Sequence, residues 1–247
     1  MIKEWLVGAV IPALNEEDNV GQVVSELREL LNETGSPLID DIVVCDNNST
    51  DATAINAKDA GARVVSQTKP GYGIACLTAI AALNDVDLVL FIDADQAFMT
   101  HQATDLLQAI VAGADLAIGS RVLGNIERGA LSLPQLVGNR VAGTLIRLLW
   151  WQRVTDLGPF RAIRVSALRQ LDMQDETFGW TVEMQIKALK YKLKVIEVPV
   201  DTLRRRHGKS KIGGTLRGVI GASIGILGMI LKLAFQRTAT NKLQNKE

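Results

Sequence analysis

Short continuous apolar runs alternate with amphipathic stretches through the first 119 residues. The run Leu88-Val89-Leu90-Phe91-Ile92 has the length and composition of a strand buried on both faces, whereas 17–31 carries its apolar residues at helical spacing. The pattern predicts strands at 5–11, 39–45, 62–66, 87–92 and 115–119, and helices at 17–31, 51–60, 72–83 and 101–112. Strands separated by helices imply parallel neighbours, because a parallel pair needs a crossover. A further strand is expected at 194–200, and a helix entered through Glu183.

In such sheets ligands bind beyond the carboxyl ends of the strands. Three polar clusters fall on that edge. The first strand runs into Pro12-Ala13-Leu14-Asn15-Glu16-Glu17, the second into Asp46-Asn47-Asn48-Ser49-Thr50-Asp51, and the fourth into Asp93-Ala94-Asp95. Any one of these fits an ordinary loop or helix cap; three on one edge point to a binding site. In extended backbone, residues two apart share a side, so Asp93 and Asp95 are expected to leave the sheet together. Paired carboxylates suit Mg²⁺ or Mn²⁺ shared with a phosphate.

The segments Val10-Ile11-Pro12-Ala13-Leu14-Asn15-Glu16-Glu17, Val43-Val44-Cys45-Asp46-Asn47-Asn48-Ser49-Thr50-Asp51 and Phe91-Ile92-Asp93-Ala94-Asp95 resemble those of the family 2 glycosyltransferases of GT-A fold. The resemblance continues through Gly119-Ser120-Arg121, Asp156-Leu157-Gly158-Pro159-Phe160-Arg161-Ala162-Ile163 and Arg206-His207-Gly208-Lys209-Ser210-Lys211. Within the family the chain looks most like the polyprenyl-phosphate hexosyltransferases, such as dolichyl-phosphate mannose and glucose synthases. The resemblance implies an α/β, Rossmann-like fold: a mixed, mostly parallel sheet flanked by helices, with a C-terminal apolar helix. It also implies inverting, metal-dependent transfer of a hexose from a UDP- or GDP-sugar to an acceptor, polyprenyl phosphate first among the candidates. A soluble or saccharide hydroxyl acceptor is the runner-up, and a nucleotide-sugar-binding module without catalysis is the alternative of another class.

The family's roles transfer position by position. Pro12, Ala13, Leu14, Asn15, Glu16, Asp46 and Asn48 would hold the base and ribose of the donor. Asp93, Ala94 and Asp95 would hold its ribose and the diphosphate-bound Mg²⁺ or Mn²⁺, Asp95 foremost. Dolichyl-phosphate mannose synthases often carry a glutamine two residues after the second aspartate; here that position is Ala97, and the glutamine is Gln96. Gly71, in Lys69-Pro70-Gly71-Tyr72-Gly73, either lets backbone approach a diphosphate or forms a plain turn. Arg206, Lys209 and Ser210, with Arg121, would position the donor diphosphate or an acceptor phosphate. Asp156 either orients the acceptor loop or caps the turn before Gly158. Glu183 is either a general base or a structural carboxylate, since a hydroxyl acceptor needs proton removal and a phosphate is already anionic.

Composition narrows the class further. Of 247 residues 47% are apolar, and 27 basic residues balance 27 acidic ones, so no global basic field argues for nucleic acid. Cys45 and Cys76 lie in apolar contexts without metal-ligand spacing and read as reduced core residues of a cytoplasmic protein. The first residues lack the signal-peptide pattern. Residues 1–211 are expected to form the catalytic domain, with 1–120 binding the nucleotide sugar and 121–211 receiving the acceptor. An apolar helix is expected in 212–237, ahead of a polar tail at 238–247. Its uncharged core, 218–231, is shorter than the ~20 residues of a spanning helix. It reads as a helix docked on the domain, as a peripheral helix on the cytoplasmic face of a membrane, or as a contact in a homo-oligomer. Flanking basic residues suit anionic headgroups.

Overall fold

The computed structural model describes residues 4–208 and 216–236. Lys209 and Ser210, two of the expected phosphate contacts, lie outside these residues, as does the tail at 238–247. The described strands are β1 (Val7–Ala13), β2 (Asp41–Asp46), β3 (Arg63–Ser66), β4 (Leu88–Phe91), β5 (Leu116–Ser120), β6 (Arg161–Arg164) and β7 (Val195–Pro199). The helices are α1 (Val20–Glu29), α2 (Thr53–Asp59), α3 (Tyr72–Ala82), α4 (Ala103–Val111), α5 (Leu133–Trp150), α6 (Val165–Leu171), α7 (Trp180–Lys190) and α8 (Leu216–Phe235).

All seven strands form one sheet in the order β3-β2-β1-β4-β6-β5-β7. β1 is parallel to β2 and β4, β2 to β3, and β5 to β7; β6 runs antiparallel to both β4 and β5. The sheet is therefore mixed and mostly parallel. Its pleat sorts β1 strictly: Val7, Ala9 and Ile11 pack with α1 and α4 on one face, and Val10 packs with α3, α6 and α7 on the other. α1 buries Val20, Val23, Val24 and Leu27, the spacing of a single helical face. Each such aliphatic side chain contributes about 1.5–3 kcal/mol when removed from water. On the opposite face Trp180 meets Phe91 edge-on, ring centroids 6.1 Å apart.

The boundaries depart from the sequence reading where local bonds intervene. β1 continues through Pro12 and Ala13, which pair with Cys45 and Asp46 of β2. A proline is tolerated there because pairing with β4 ends at Val10. α1 starts three residues later than expected, since the Glu16 carbonyl accepts from the backbone N–H groups of Asn19 and Val20 and closes a turn first. Three elements were not anticipated: α5, β6 and α6. α5 starts at a capping box, with Ser132 and Gln135 satisfying each other's backbone donors, and has a proline in its first turn. α8 docks Met229, Ile230 and Leu233 against Ala142 and Ile146 of α5 and Val182 and Ile186 of α7. No described helix is long and apolar enough to cross a membrane.

Candidate active site

The carboxyl ends of β1 and β2 open into loops stitched directly together. Asn15 sits in the left-handed region, φ 51°, which asparagine tolerates better than most residues. Its Oδ1 accepts from the Thr50 backbone N–H at 2.8 Å, and its own N–H donates to Ser49 Oγ at 2.9 Å. The Glu16 N–H donates to Thr53 Oγ1 at 2.8 Å. Asp46 Oδ1 accepts from the Ser49 N–H at 3.1 Å, closing the turn in which Asn48 is also left-handed. Asn47, which sequence reasoning passed over as a turn residue, ties three loops together. Its N–H donates to the Ala13 carbonyl, its amide to the carbonyls of Gln67 and Lys69, and its Oδ1 accepts from the Gly71 N–H at 2.8 Å.

β4 stops at Phe91, and Ala94 and Asp95 already lie in a turn. The two aspartates are thus brought together by that turn rather than by strand alternation. Asp93 Oδ1 accepts from the Tyr72 hydroxyl at 3.0 Å. Burial of its carboxyl and the charge of Asp95 push the Asp93 pKa up to about 7, against the opposing pull of Tyr72, Arg205 and Arg121. Asp95 Oδ1 accepts from the Ala97 N–H at 3.0 Å, while Oδ2 lies 2.6 Å from Arg205 Nη2. The same guanidinium places Nη1 3.0 Å from Glu16 Oε1, and Asn19 Nδ2 holds the other Glu16 oxygen at 2.8 Å. Burial works against the charge on Arg205, but Asp95 and Glu16 outweigh it and hold its pKa above the ordinary value.

Of the three consecutive arginines, then, Arg205 enters the site and Arg206 is exposed to solvent. The family pattern aligns on Arg206, while the residue that pairs with the carboxylates in the structure is its neighbour Arg205. A linear pattern of three identical residues carries no signal that separates them.

Arg121 and Asp156 form a second charged unit. The Arg121 N–H and Nε both donate to Asp156 Oδ2, at 2.8 and 2.7 Å, and Nη2 donates to Oδ1 at 2.6 Å. Burial opposes the Arg121 charge, yet the bond to Asp156 and the charges of Asp156, Asp93 and Asp95 raise its pKa. Asp156 also accepts from the Leu157 N–H at 2.7 Å, so it both anchors Arg121 and shapes the turn before Gly158. Behind it, the fully buried Arg161 donates to the carbonyls of Gly158 and Thr181. Burial lowers the Arg161 pKa to about 10, still charged at neutral pH.

Glu183 stands apart from these groups. Its carboxylate is buried and accepts from the backbone N–H groups of Gln174 and Asp175, with Lys187 Nζ 2.7 Å away. The turn it holds passes over the start of α3, where the N–H groups of Gly73 and Ile74 donate to the carbonyls of Thr177 and Glu176. A Cβ on Gly71 or Gly73 would overlap the carbonyl oxygens of Glu176 and Asp175. The backbone that these glycines admit is thus the chain's own.

Among the described residues no three His, Cys, Asp or Glu side chains gather into a metal cage. The Asp93–Asp95 pair is instead the partial, oxygen-only set that Mg²⁺ or Mn²⁺ takes when phosphate oxygens complete its shell, so these residues fit a cation brought in with a nucleoside diphosphate.

Residues 9–172 match the family model described as glycosyl transferase family 2. An uncharacterized glycosyltransferase of Mycobacterium tuberculosis is 34% identical over 87% of this chain and 93% of that protein. A dolichyl-phosphate hexose transferase of Haloferax volcanii is 29% identical over 88% and 92%. The crystal structure of M. tuberculosis glucosyl-3-phosphoglycerate synthase with Mn²⁺, UDP and glucosyl-3-phosphoglycerate superposes with a TM-score of 0.74 at 21% identity, covering 96% of this chain and 82% of that one. At that identity the superposition establishes the GT-A fold. The family match over two thirds of the chain and the full-length similarity to a glycosyltransferase, together with three stitched loops around a carboxylate pair, make this protein a member of glycosyltransferase family 2.

Proposed function

We propose that the protein transfers a hexose, with inversion, from a UDP- or GDP-sugar to polyprenyl phosphate. The observation that carries this reading is the convergence of the Asp93–Asp95 pair with Arg205 and Arg121, a site of alternating charge at the carboxyl edge of the sheet. The stitched loops of Asn15, Asp46 and Asn48 would cradle the nucleoside. Asp95 and Asp93 would hold Mg²⁺ or Mn²⁺, which supplies Lewis-acid neutralisation of the departing diphosphate. Arg205 would move from the carboxylates to the diphosphate, and Arg121, fixed by Asp156, would present a preorganised positive charge to a phosphate.

The acceptor reading has two supports. One is the similarity to a protein named a dolichyl-phosphate hexose transferase. The other is Glu183: its carboxylate is occupied by two backbone donors and Lys187, as suits a nucleophile that needs no general base. An acceptor phosphate attacks the anomeric carbon as an anion, and the proton count stays balanced without a protein base.

The test is transfer of labelled sugar from a panel of UDP- and GDP-sugars to polyprenyl phosphate, with Mg²⁺ or Mn²⁺ and an EDTA control. Metal-dependent label in the lipid extract is expected. Metal-dependent release of UDP or GDP with no lipid label would overturn the acceptor and point to a soluble one.

A further inference from the structure

A helix lying on a protein surface ordinarily turns its polar side to water. α5 does not: it is apolar on its outer side as well as on its packed one. Leu133, Leu136, Val137, Val141 and Leu148 are all exposed, at spacings that place them on one face. Arg140, Thr144 and Arg147 are exposed among them. Trp151, just past the helix end in a left-handed conformation, is 90% exposed. Its neighbour α8 repeats the pattern, with Ile224, Leu227, Leu231 and Phe235 exposed at helical spacing beside Lys232. The two helices pack on each other through Ala142, Ile146, Met229 and Ile230, so the two exposed apolar stripes belong to neighbouring helices.

Charge is partitioned in the same way. The overall balance of 27 basic and 27 acidic residues conceals two long segments without a single Asp or Glu. Residues 128–155, which contain α5, have four arginines, and residues 202–246, which contain α8, have ten Lys and Arg. A second copy docking by the same faces would set the exposed Arg140, Arg147 and Lys232 of each copy against those of the other. An anionic bilayer answers both features at once: headgroup phosphates for the cations, and the acyl boundary for the leucines and the tryptophan.

We infer that the α5–α8 face docks the protein on an anionic lipid surface, with α5 as a contact that the sequence did not reveal. This rests on the lipid-acceptor reading for its purpose. α5 is also coupled to the site: Asn139 donates through Nδ2 to the Thr155 carbonyl at 3.1 Å and accepts from the Leu157 N–H at 3.0 Å, on either side of Asp156. Val122 and Leu123, next to Arg121 in sequence, are also exposed. Docking through α5 would act through Asn139 on the loop that carries Asp156, the partner of Arg121.

The experiment is flotation of the full chain with phosphatidylcholine vesicles and with vesicles that also contain phosphatidylglycerol. The wild type should float with the anionic vesicles, less so at high salt. Arg140→Glu with Arg147→Glu, and separately Leu148→Ser with Trp151→Ser, should each lower partitioning roughly tenfold or more. All four side chains are exposed, so unchanged thermal unfolding is the control for folding. A wild type that does not float with anionic vesicles, or variant pairs that float as well as it does, would overturn the inference. So would a dimer dispersed by the Leu148/Trp151 pair in the absence of vesicle binding. Transfer to a short, water-soluble polyprenyl phosphate is measured in parallel: its failure would sink the acceptor reading, while flotation alone decides whether the face binds lipid.

Discussion

Arg205 reaches back across the site to Asp95, its Nη2 2.6 Å from Oδ2, while its Nη1 lies 3.0 Å from Glu16. A guanidinium bridging two carboxylates stands where a divalent cation at Asp95 would place its own charge, so the two compete for one oxygen. Arg205→Met should therefore tighten binding of Mn²⁺ alone by about tenfold, ~1.4 kcal/mol, as read by electron paramagnetic resonance without nucleotide. The same variant should slow transfer, because the diphosphate loses its partner. An unchanged Mn²⁺ affinity would separate Arg205 from the metal position.

Asp95 carries the largest catalytic expectation. Loss of one metal-holding carboxylate removes part of the charge neutralisation on the leaving diphosphate. Asp95→Asn should cost roughly a hundredfold or more in turnover, the equivalent of about 3 kcal/mol. Near-normal turnover would remove Asp95 from the mechanism.

Glu183 is expected to act through structure. Replacing it strips Lys187 of its carboxylate and weakens the bonds that two backbone N–H groups donate to it from the turn over α3. Glu183→Gln should destabilise the fold by about 2–4 kcal/mol, seen as a lower melting temperature. The shape of the pH–rate profile should be unchanged. A folded variant whose profile loses its acid limb would instead make Glu183 a base.

Asp41 provides a pH test away from the site. Burial alone would raise its pKa, but Arg63, bonded through Nε and Nη2 at 2.9 and 2.7 Å, and the Asn84 N–H outweigh burial and hold it below the ordinary 3.8. A carboxyl lowered by folding binds fewer protons in the native state, so its stabilisation is present above the unfolded pKa. That stabilisation fades as pH falls through the unfolded value and then the folded one. The stability difference between wild type and Asp41→Asn should be constant from neutral pH to about pH 5 and shrink below about pH 4. A difference that grows in acid would contradict the assigned pairing.

The sequence by itself determined the first half of the sheet and the edge on which the site lies. β1, β2, β4 and β5 are mostly apolar runs, and burial on both faces leaves such runs little choice of conformation, whereas β3 is a short edge strand. The three polar clusters followed because a parallel sheet places all its strand ends on one side. β6 escaped notice since two of its four residues are arginines, one of them fully buried; that burial is tolerable because Arg161 donates to the Gly158 carbonyl nearby and to the Thr181 carbonyl and Gln185 Oε1 of α7, which is distant in the chain. α5 escaped because its apolar residues face outward, so its pattern does not mark a core-facing helix. Tertiary structure also decided which arginine of 204–206 meets Asp95, that Glu183 is spent on a turn, and that Asn47 joins three loops. Those outcomes depend on where separate segments arrive in space, and local periodicity holds no record of that. A period of hydrophobicity specifies what an element must bury, whereas charge pairing is settled only once the elements have been brought together.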